Sequence, residues 1–254
     1  MNLVEAMAGA TATKAARKDA AKRLRFSSSQ AGTLALALKE DSQDFFYSAC
    51  MTLVDGLRGL HCGFYTWATV KLYYSVFYSL RAWLAAEGVC SFYLHTSPFS
   101  VEAAAGAIGV AGKGTTHVHV QSLFARRNPQ HRFVAQTIDQ VMALDWLTQR
   151  REDSNYKTPR FSEPIAPRHF NEVEKYGIRR CVAAYLADTT DVYTFDKDHA
   201  MLALPLKVIG EAVAVVRGSG AVRFAHNELS MLSSSCCDDA GPIAQMATMF
   251  KTFA

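Results

Sequence analysis

The chain has 254 residues, half of them hydrophobic and a fifth charged, and carries a formal net charge of +4 at pH 7. That length suits one large domain or two small ones with a sizeable core, in the balance of an ordinary globular protein. It excludes a helical membrane span, because no uncharged apolar run reaches the ~18 residues such a span needs. The best candidate, residues 64–88, is interrupted by Lys71 and Arg81. The N-terminus lacks the apolar centre of a secretory signal, and Glu5 and Asp19 speak against a mitochondrial presequence. Cysteines at 50, 62, 90, 181, 236 and 237 show neither CxxC nor metal-finger spacing. Free thiols in a reducing cytoplasm are therefore expected, without a bound metal or cofactor.

Residues 1–33 read as a basic arm, disordered or helical in part. Six of the 27 basic residues (Lys14, Arg17, Lys18, Lys22, Arg23 and Arg25) and two of the 23 acidic ones precede position 27, so the whole net charge is already present there. These six are candidate RNA contacts, because lysine and arginine neutralise phosphates without reading sequence. The competing reading is a solvated helical extension. SSSQAG at 27–32 is expected to break the chain. From Ser42, apolar residues recur at Phe45, Ala49, Leu53, Leu57 and Leu60, a helical spacing. His61, Cys62 and Gly63 form a connector to a second helix over 64–87, stopped at Gly88 by a left-handed cap. Its apolar residues lie on all sides, which marks the central helix. Tyr65, Tyr73, Tyr74 and Tyr78 can fill the core with their rings while turning hydroxyls toward a polar site.

Between 89 and 114 the pattern dissolves. AAAGAIGVAGKG at 103–114 looks like a phosphate loop but lacks the GxxxxGK[ST] order, since Lys113 is followed by glycine, and no strand pattern precedes it. A loop or small-residue helix is expected there. Helices are predicted over about 116–127 and 132–151, and TPRFSEPIAP at 158–167 is a proline-broken linker. Residues 34–160 thus form the helical bundle and 161–254 a C-terminal helical extension packed on it. Within the extension, helices are expected over about 170–186, from Asp196 as N-cap to Gly218 with a kink at Pro205, around 228–233, and from 242 onward. Asp238 and Asp239 read as a helix cap. The predicted fold class is all-α, on a four-helix-bundle plan.

Tyr73 and Tyr74, then Phe77, Leu80, Arg81, Ala82 and Leu84, then Gly88, then a histidine (His117 or His119) ahead of Phe124, then Arg151 with Ser154, Asn155 and Tyr156, occur in a telling order. It resembles the HEPN domain superfamily, nearest the small prokaryotic branch with an R-x-x-A-D-Y pattern, over about residues 45–157. The resemblance implies a HEPN-like four-helix core, usually dimeric, in a toxin–antitoxin or antiviral defence system. Expected partners are a second copy or a defence or antitoxin protein, with RNA as a further partner and no membrane. Active members cut RNA without metal through Arg-x(4–6)-His, the histidine taking the 2′-hydroxyl proton and the arginine holding the phosphate. Carried over, it implies Arg151, Tyr156 and Arg150 as the catalytic set.

The chain departs from that pattern, because no histidine follows Arg151 at the required interval. Tyrosine, with a pKa near ~10, is a poor general base at neutral pH. Arg126 and His131 have the spacing, but Pro129 stands between them. His169 is too distant in sequence for the motif, although folding can bring it near. Arg150 and Arg151 also read as a plain charged helix end, and Tyr156 as a packing residue. His117 and His119 do not share a helical face, so no zinc pair is predicted. Two functional classes remain: a metal-independent RNA-cleaving effector with an atypical site or a distant histidine, and a non-catalytic module that pairs with itself or a system partner. Modification of Tyr156 by a partner nucleotidyltransferase is a third idea, but its motif, Arg-x4-His-x-Tyr, is absent.

Overall fold

The computed structural model describes residues 19, 21–23, 25–220 and 224–252. Ser27 starts the longest helix. Its hydroxyl accepts from the Gln30 amide, and the Gln30 side chain accepts from the Ser27 amide. This reciprocal cap satisfies two orphan donors, so the expected break at 27–32 is instead the start of α1 (Ser28–His61). Leu34, Leu38, Phe46, Ala49, Leu53, Leu57 and Leu60 make its buried stripe. Gly63, at φ +73°, turns the chain into α2 (Tyr65–Ala86). A Cβ on Gly56 would meet the Leu72 side chain at 2.9 Å, so glycine lets the two helices approach closely. α2 is buried on nearly every side, and its buried Thr69 and Ser79 hydroxyls donate to the carbonyls of Tyr65 and Ser75.

Leu72 is fully buried against α1. Leu72→Ala is expected to cost about 2–5 kcal/mol, read as a lower urea midpoint at unchanged m-value. A loss below about 1 kcal/mol would mean that the α1–α2 seam relaxes to fill the cavity.

After Gly88 the chain makes an antiparallel meander of β1 (Val89–Leu94), β2 (Ser97–Glu102) and β3 (Val110–Ala111), in the order β1-β2-β3. Phe92 pairs with Phe99 across the strands, ring centroids 5.7 Å apart, and both pack with Leu34 and Leu38 in a second, smaller core. The stretch 103–114 is a loop, as expected, except for the two residues of β3, whereas β1 and β2 occupy 89–102, where no regular element was predicted. Ala21 and Phe26 join that core, and the Gly109 amide donates to Ala21 O at 3.2 Å. A Cβ on Gly109 would stand 2.6 Å from that oxygen. The glycine-rich stretch therefore serves backbone contact with the arm.

Then come α3 (Thr116–Arg127), α4 (Arg132–Ala135), the hairpin β4 (Thr137–Ile138) and β5 (Val141–Met142), and α5 (Ala143–Glu152). Asp139 and Gln140, at φ 50° and 65°, make the hairpin turn that breaks the single helix expected over 132–151. A π-wound turn, Asp153–Lys157, closes α5. Gly177, at φ +80°, splits the helix expected over 170–186 into α6 (Asn171–Tyr176) and α7 (Ile178–Ala187). The long helix α8 (Ala200–Ser219) begins after Asp196, whose carboxylate accepts from Asp198 N instead of capping it. α9 (His226–Ser235), the hairpin β6 (Cys237–Asp238) and β7 (Gly241–Pro242), and α10 (Ala244–Lys251) complete the order. Asp238 caps no helix; Arg179 holds both its oxygens, at 2.9 and 2.6 Å.

The fold is thus mainly helical, with a small sheet where none was expected. One core runs from Phe46 to Phe250, so residues on both sides of 160 share it. α8 packs on α2 and α1, leaving α2 enclosed. Among the described residues, no helix is long and apolar enough to cross a membrane.

Candidate functional site

Three elements meet at the middle of α2. Tyr73 is buried and Tyr74 half-buried, their rings edge to face at 5.6 Å. His117, in the first turn of α3, lies 5.5 Å from each of these rings and 4.5 Å from Phe77, centroid to centroid. The Arg151 guanidinium, in the last turn of α5, lies over the same pair, 5.5 Å from Tyr73 and 5.9 Å from Tyr74. Tyr156 closes the group: its ring is 5.2 Å from the guanidinium, and its hydroxyl accepts from Arg151 Nη2 at 3.3 Å. In a regular α-helix, residues five apart lie about 140° apart around the axis. The π-wound turn after α5 brings Tyr156 back over Arg151.

Arg151 is 9 % exposed, its Nε is buried without a hydrogen-bond partner, and no carboxylate among the described residues pairs with it. A buried charge lacking a counter-ion is costly. The three aromatic rings return part of that cost, at about 0.5–2 kcal/mol per contact. An anion arriving at this guanidinium would find a partner already desolvated and held in place. His117 Nδ1 is likewise buried and unpaired. Burial, then the charges of Arg151 and Arg81, hold its pKa below the ordinary histidine value. It is therefore a neutral imidazole at pH 7, able to take a proton. Burial pushes the Tyr73 phenol up to about 12, with the Thr148 hydroxyl and Arg151 opposing the shift, so it remains protonated. A neutral base, a desolvated cation and phenol donors suit acid–base chemistry on an anionic substrate.

Of the residues singled out in the sequence, the fold brings Arg151 and Tyr156 together and separates Arg150 from them. Neighbours on a helix point about 100° apart, and Arg150 turns toward Asp153, Nη2 to Oδ2 3.3 Å, and lines a different recess with His169. His119 also faces elsewhere: it is buried, with Nε2 3.1 Å from Phe99 O. His131 has a structural place, Nδ1 accepting from Phe133 N and Nε2 3.2 Å from Glu211 Oε2, beside the Arg132–Glu211 ion pair. Lys22, Arg23 and Arg25 are exposed, whereas Lys14, Arg17 and Lys18 lie outside the described residues. Among the described residues no cluster of three His, Cys, Asp or Glu is placed to hold a metal ion. The sequence offered His117 and His119 equally. Two residues apart on α3, they point about 200° apart, so only one can face Arg151.

His169 makes the second polar centre. The Thr69 hydroxyl already donates to Tyr65 O, so in its 3.1 Å contact with His169 Nε2 the imidazole is the donor. Burial foremost, then the Arg150 charge, lowers His169 to about 4, with Asp153 pulling the other way. The unfolded chain, with a histidine pKa of ~6.5, therefore binds more protons between those values. Stability contributed by His169 is full above about pH 6.5 and is lost as pH falls toward 4, by up to about 3 kcal/mol. His169→Gln is expected to flatten the stability–pH curve from urea melts between pH 7 and 4.5. An unchanged slope would mean that His169 is freely solvated.

No family model, curated protein or solved structure matches the chain, so these side chains alone carry what can be said of its chemistry.

Proposed function

We propose that the chain is a HEPN-like protein of a prokaryotic antiviral defence or toxin–antitoxin system that cleaves RNA without a metal ion, with His117 in place of the histidine that ordinarily follows the arginine. The convergence of Arg151 and His117 on the Tyr73–Tyr74 pair carries this reading. The desolvated Arg151 fork suits a phosphate held bidentately. His117 takes the proton of the 2′-hydroxyl as that oxygen attacks phosphorus. The bond from phosphorus to the 5′-oxygen breaks, and the leaving oxygen takes the hydrogen of Tyr156, whose hydroxyl accepts from Arg151 and so keeps its own hydrogen to give. The products are a 2′,3′-cyclic phosphate and a free 5′-hydroxyl. A water then returns the proton from His117 to Tyr156. Arg150 stands outside this step. In a homodimer, or a complex with a defence or antitoxin partner, the contact is expected at the end of α5.

The test is RNA cleavage in EDTA. Cyclic-phosphate ends, and no cut where the 2′-hydroxyl has been replaced by hydrogen, are the expected result. Cutting that stops in EDTA, or that proceeds through a 2′-deoxy position, would sink the mechanism. Intact RNA from folded protein with its native partner supplied would favour the non-catalytic module.

A further inference from the structure

The recess that takes Arg150 lies at the start of α2 and holds about 300 Å³. Arg150, Arg160, Arg168 and His169 line it together with Thr66, Ser162 and one carboxylate, Asp153. Arg150 Nε is buried without a hydrogen-bond partner. Arg160 is exposed and forms no ion pair with any described residue. The carboxylates nearby all have partners, and Arg150 and Arg168 are among them, so of the three arginines Arg160 alone has no ion pair with a described residue. Asp153 lies 3.3 Å from Arg150 and 3.0 Å from Lys157. Glu163 accepts from the Thr66 amide and hydroxyl, both at 2.8 Å. Asp198 lies 2.6 Å from Lys197 and 3.5 Å from Arg168.

Beside this basic recess sits an aromatic pair. Trp67 follows the lining residue Thr66 in α2, and Phe161 stands between the lining residues Arg160 and Ser162. Their rings meet edge to face at 6.0 Å, yet they remain 48 % and 53 % exposed. Such rings leave faces free for a flat partner, and the arginines next to them match a chain of phosphates. Bases stack on aromatic faces whatever their identity, and arginines neutralise the backbone between them. A duplex keeps its bases stacked on one another and cannot offer them to a side chain.

We propose that Trp67, Phe161 and the recess of Arg150, Arg160 and Arg168 form a binding surface for single-stranded RNA, with a base against the rings and the adjoining phosphate in the recess. The surface rests on the cleavage reading only for what later happens to the strand. It makes unpaired RNA the substrate class and assigns Arg150, displaced from Arg151, to the flanking backbone.

The experiment titrates the full chain, in EDTA, with an uncuttable 2′-O-methyl twelve-nucleotide single strand and with the same strand in a duplex, following tryptophan fluorescence and strand anisotropy. Trp83 and Trp146 are buried, so quenching reports Trp67. Saturable quenching by the single strand, weaker binding of the duplex, and loss of the signal but not of the anisotropy change in Trp67→Phe are expected. Phe161→Ala with Trp67→Ala should weaken binding tenfold or more, by the usual worth of a base–aromatic stack. Arg160→Gln should lower the slope of log affinity against log salt by about 0.7. Unchanged affinity and salt slope in these variants would overturn the proposal. So would quenching that sedimentation traces to self-association through the same rings. Cleavage of natural RNA by a protein that shows no Trp67 quenching would remove this surface and spare the Arg151–His117 site. Quenching without cleavage of natural RNA would do the reverse.

Discussion

Arg151→Met is expected to lower RNA cleavage by about 10²- to 10³-fold, the usual cost of removing a preorganised group that meets charge developing on the transferred phosphate. The same change is expected to leave the fold as stable as before or slightly more stable. Arg151 is buried over Tyr73 and Tyr74, and no carboxylate among the described residues pairs with it. An apolar side chain of similar length removes an uncompensated charge from that position, and functional groups held at a cost in stability behave this way when replaced. Arg151→Lys should not restore activity, because an ammonium is a single point of charge and cannot grip two phosphate oxygens in one plane. Paired measurements of cleavage and urea stability on the three proteins decide the matter. A destabilised Arg151→Met protein that keeps full activity per folded molecule would make Arg151 a packing residue.

His117→Gln is expected to cost about 10²- to 10⁴-fold in rate, the range that a positioned general base contributes. Its pH signature is as useful as its size. The neutral imidazole is the active form. Because burial, Arg151 and Arg81 hold its pKa below the ordinary value, the acid limb of the wild-type profile should fall below the ~6.5 of a free histidine. Activity that depends on this base is present above that limb and is lost as the pH drops through it. Arg81 packs on Phe45 at 3.8 Å and lies 5.9 Å over Phe77, the ring nearest His117. Removing its charge in Arg81→Gln relaxes one of the three causes of the depression and should move the acid limb to higher pH. A limb that stays in place in Arg81→Gln and survives in His117→Gln would assign the proton to another group.

α2 and the part of α1 from Ser42 onward were legible because their signals are local. Phe45, Ala49, Leu53, Leu57 and Leu60 repeat at helical spacing, and Gly63 and Gly88 stop the chain where positive φ is needed. The meander was not, since both faces of its strands are largely covered. β2 buries Pro98, Phe99, Ser100 and Val101 in succession, which erases the alternation by which a half-exposed strand is recognised. The hairpin inside 132–151 was hidden for a different reason. Its turn puts Asp139 and Gln140 at positive φ, a pair outside the Asn-Gly or Asp-Gly pairs that usually announce such turns. Arg151 and Tyr156 were singled out by the resemblance, whose motif falls on that one short segment. The tertiary contact that sets His117 against Arg151 spans 34 positions, and only packing on α2 brings the two onto one aromatic wall.

That wall has a metric consequence. Thr66, Thr69, Tyr73 and Phe77 follow one another at intervals of three, four and four, so they trace a single line along α2. Thr66 lines the arginine recess, Thr69 meets His169, and Tyr73 and Phe77 meet His117. With a rise of about 1.5 Å per residue, Thr66 and Tyr73 stand roughly 10 Å apart along the axis, so α2 acts as a ruler engraved with both polar centres. One residue added between Thr69 and Tyr73 would lengthen the ruler by only about 1.5 Å, yet it would turn one centre about 100° away from the other.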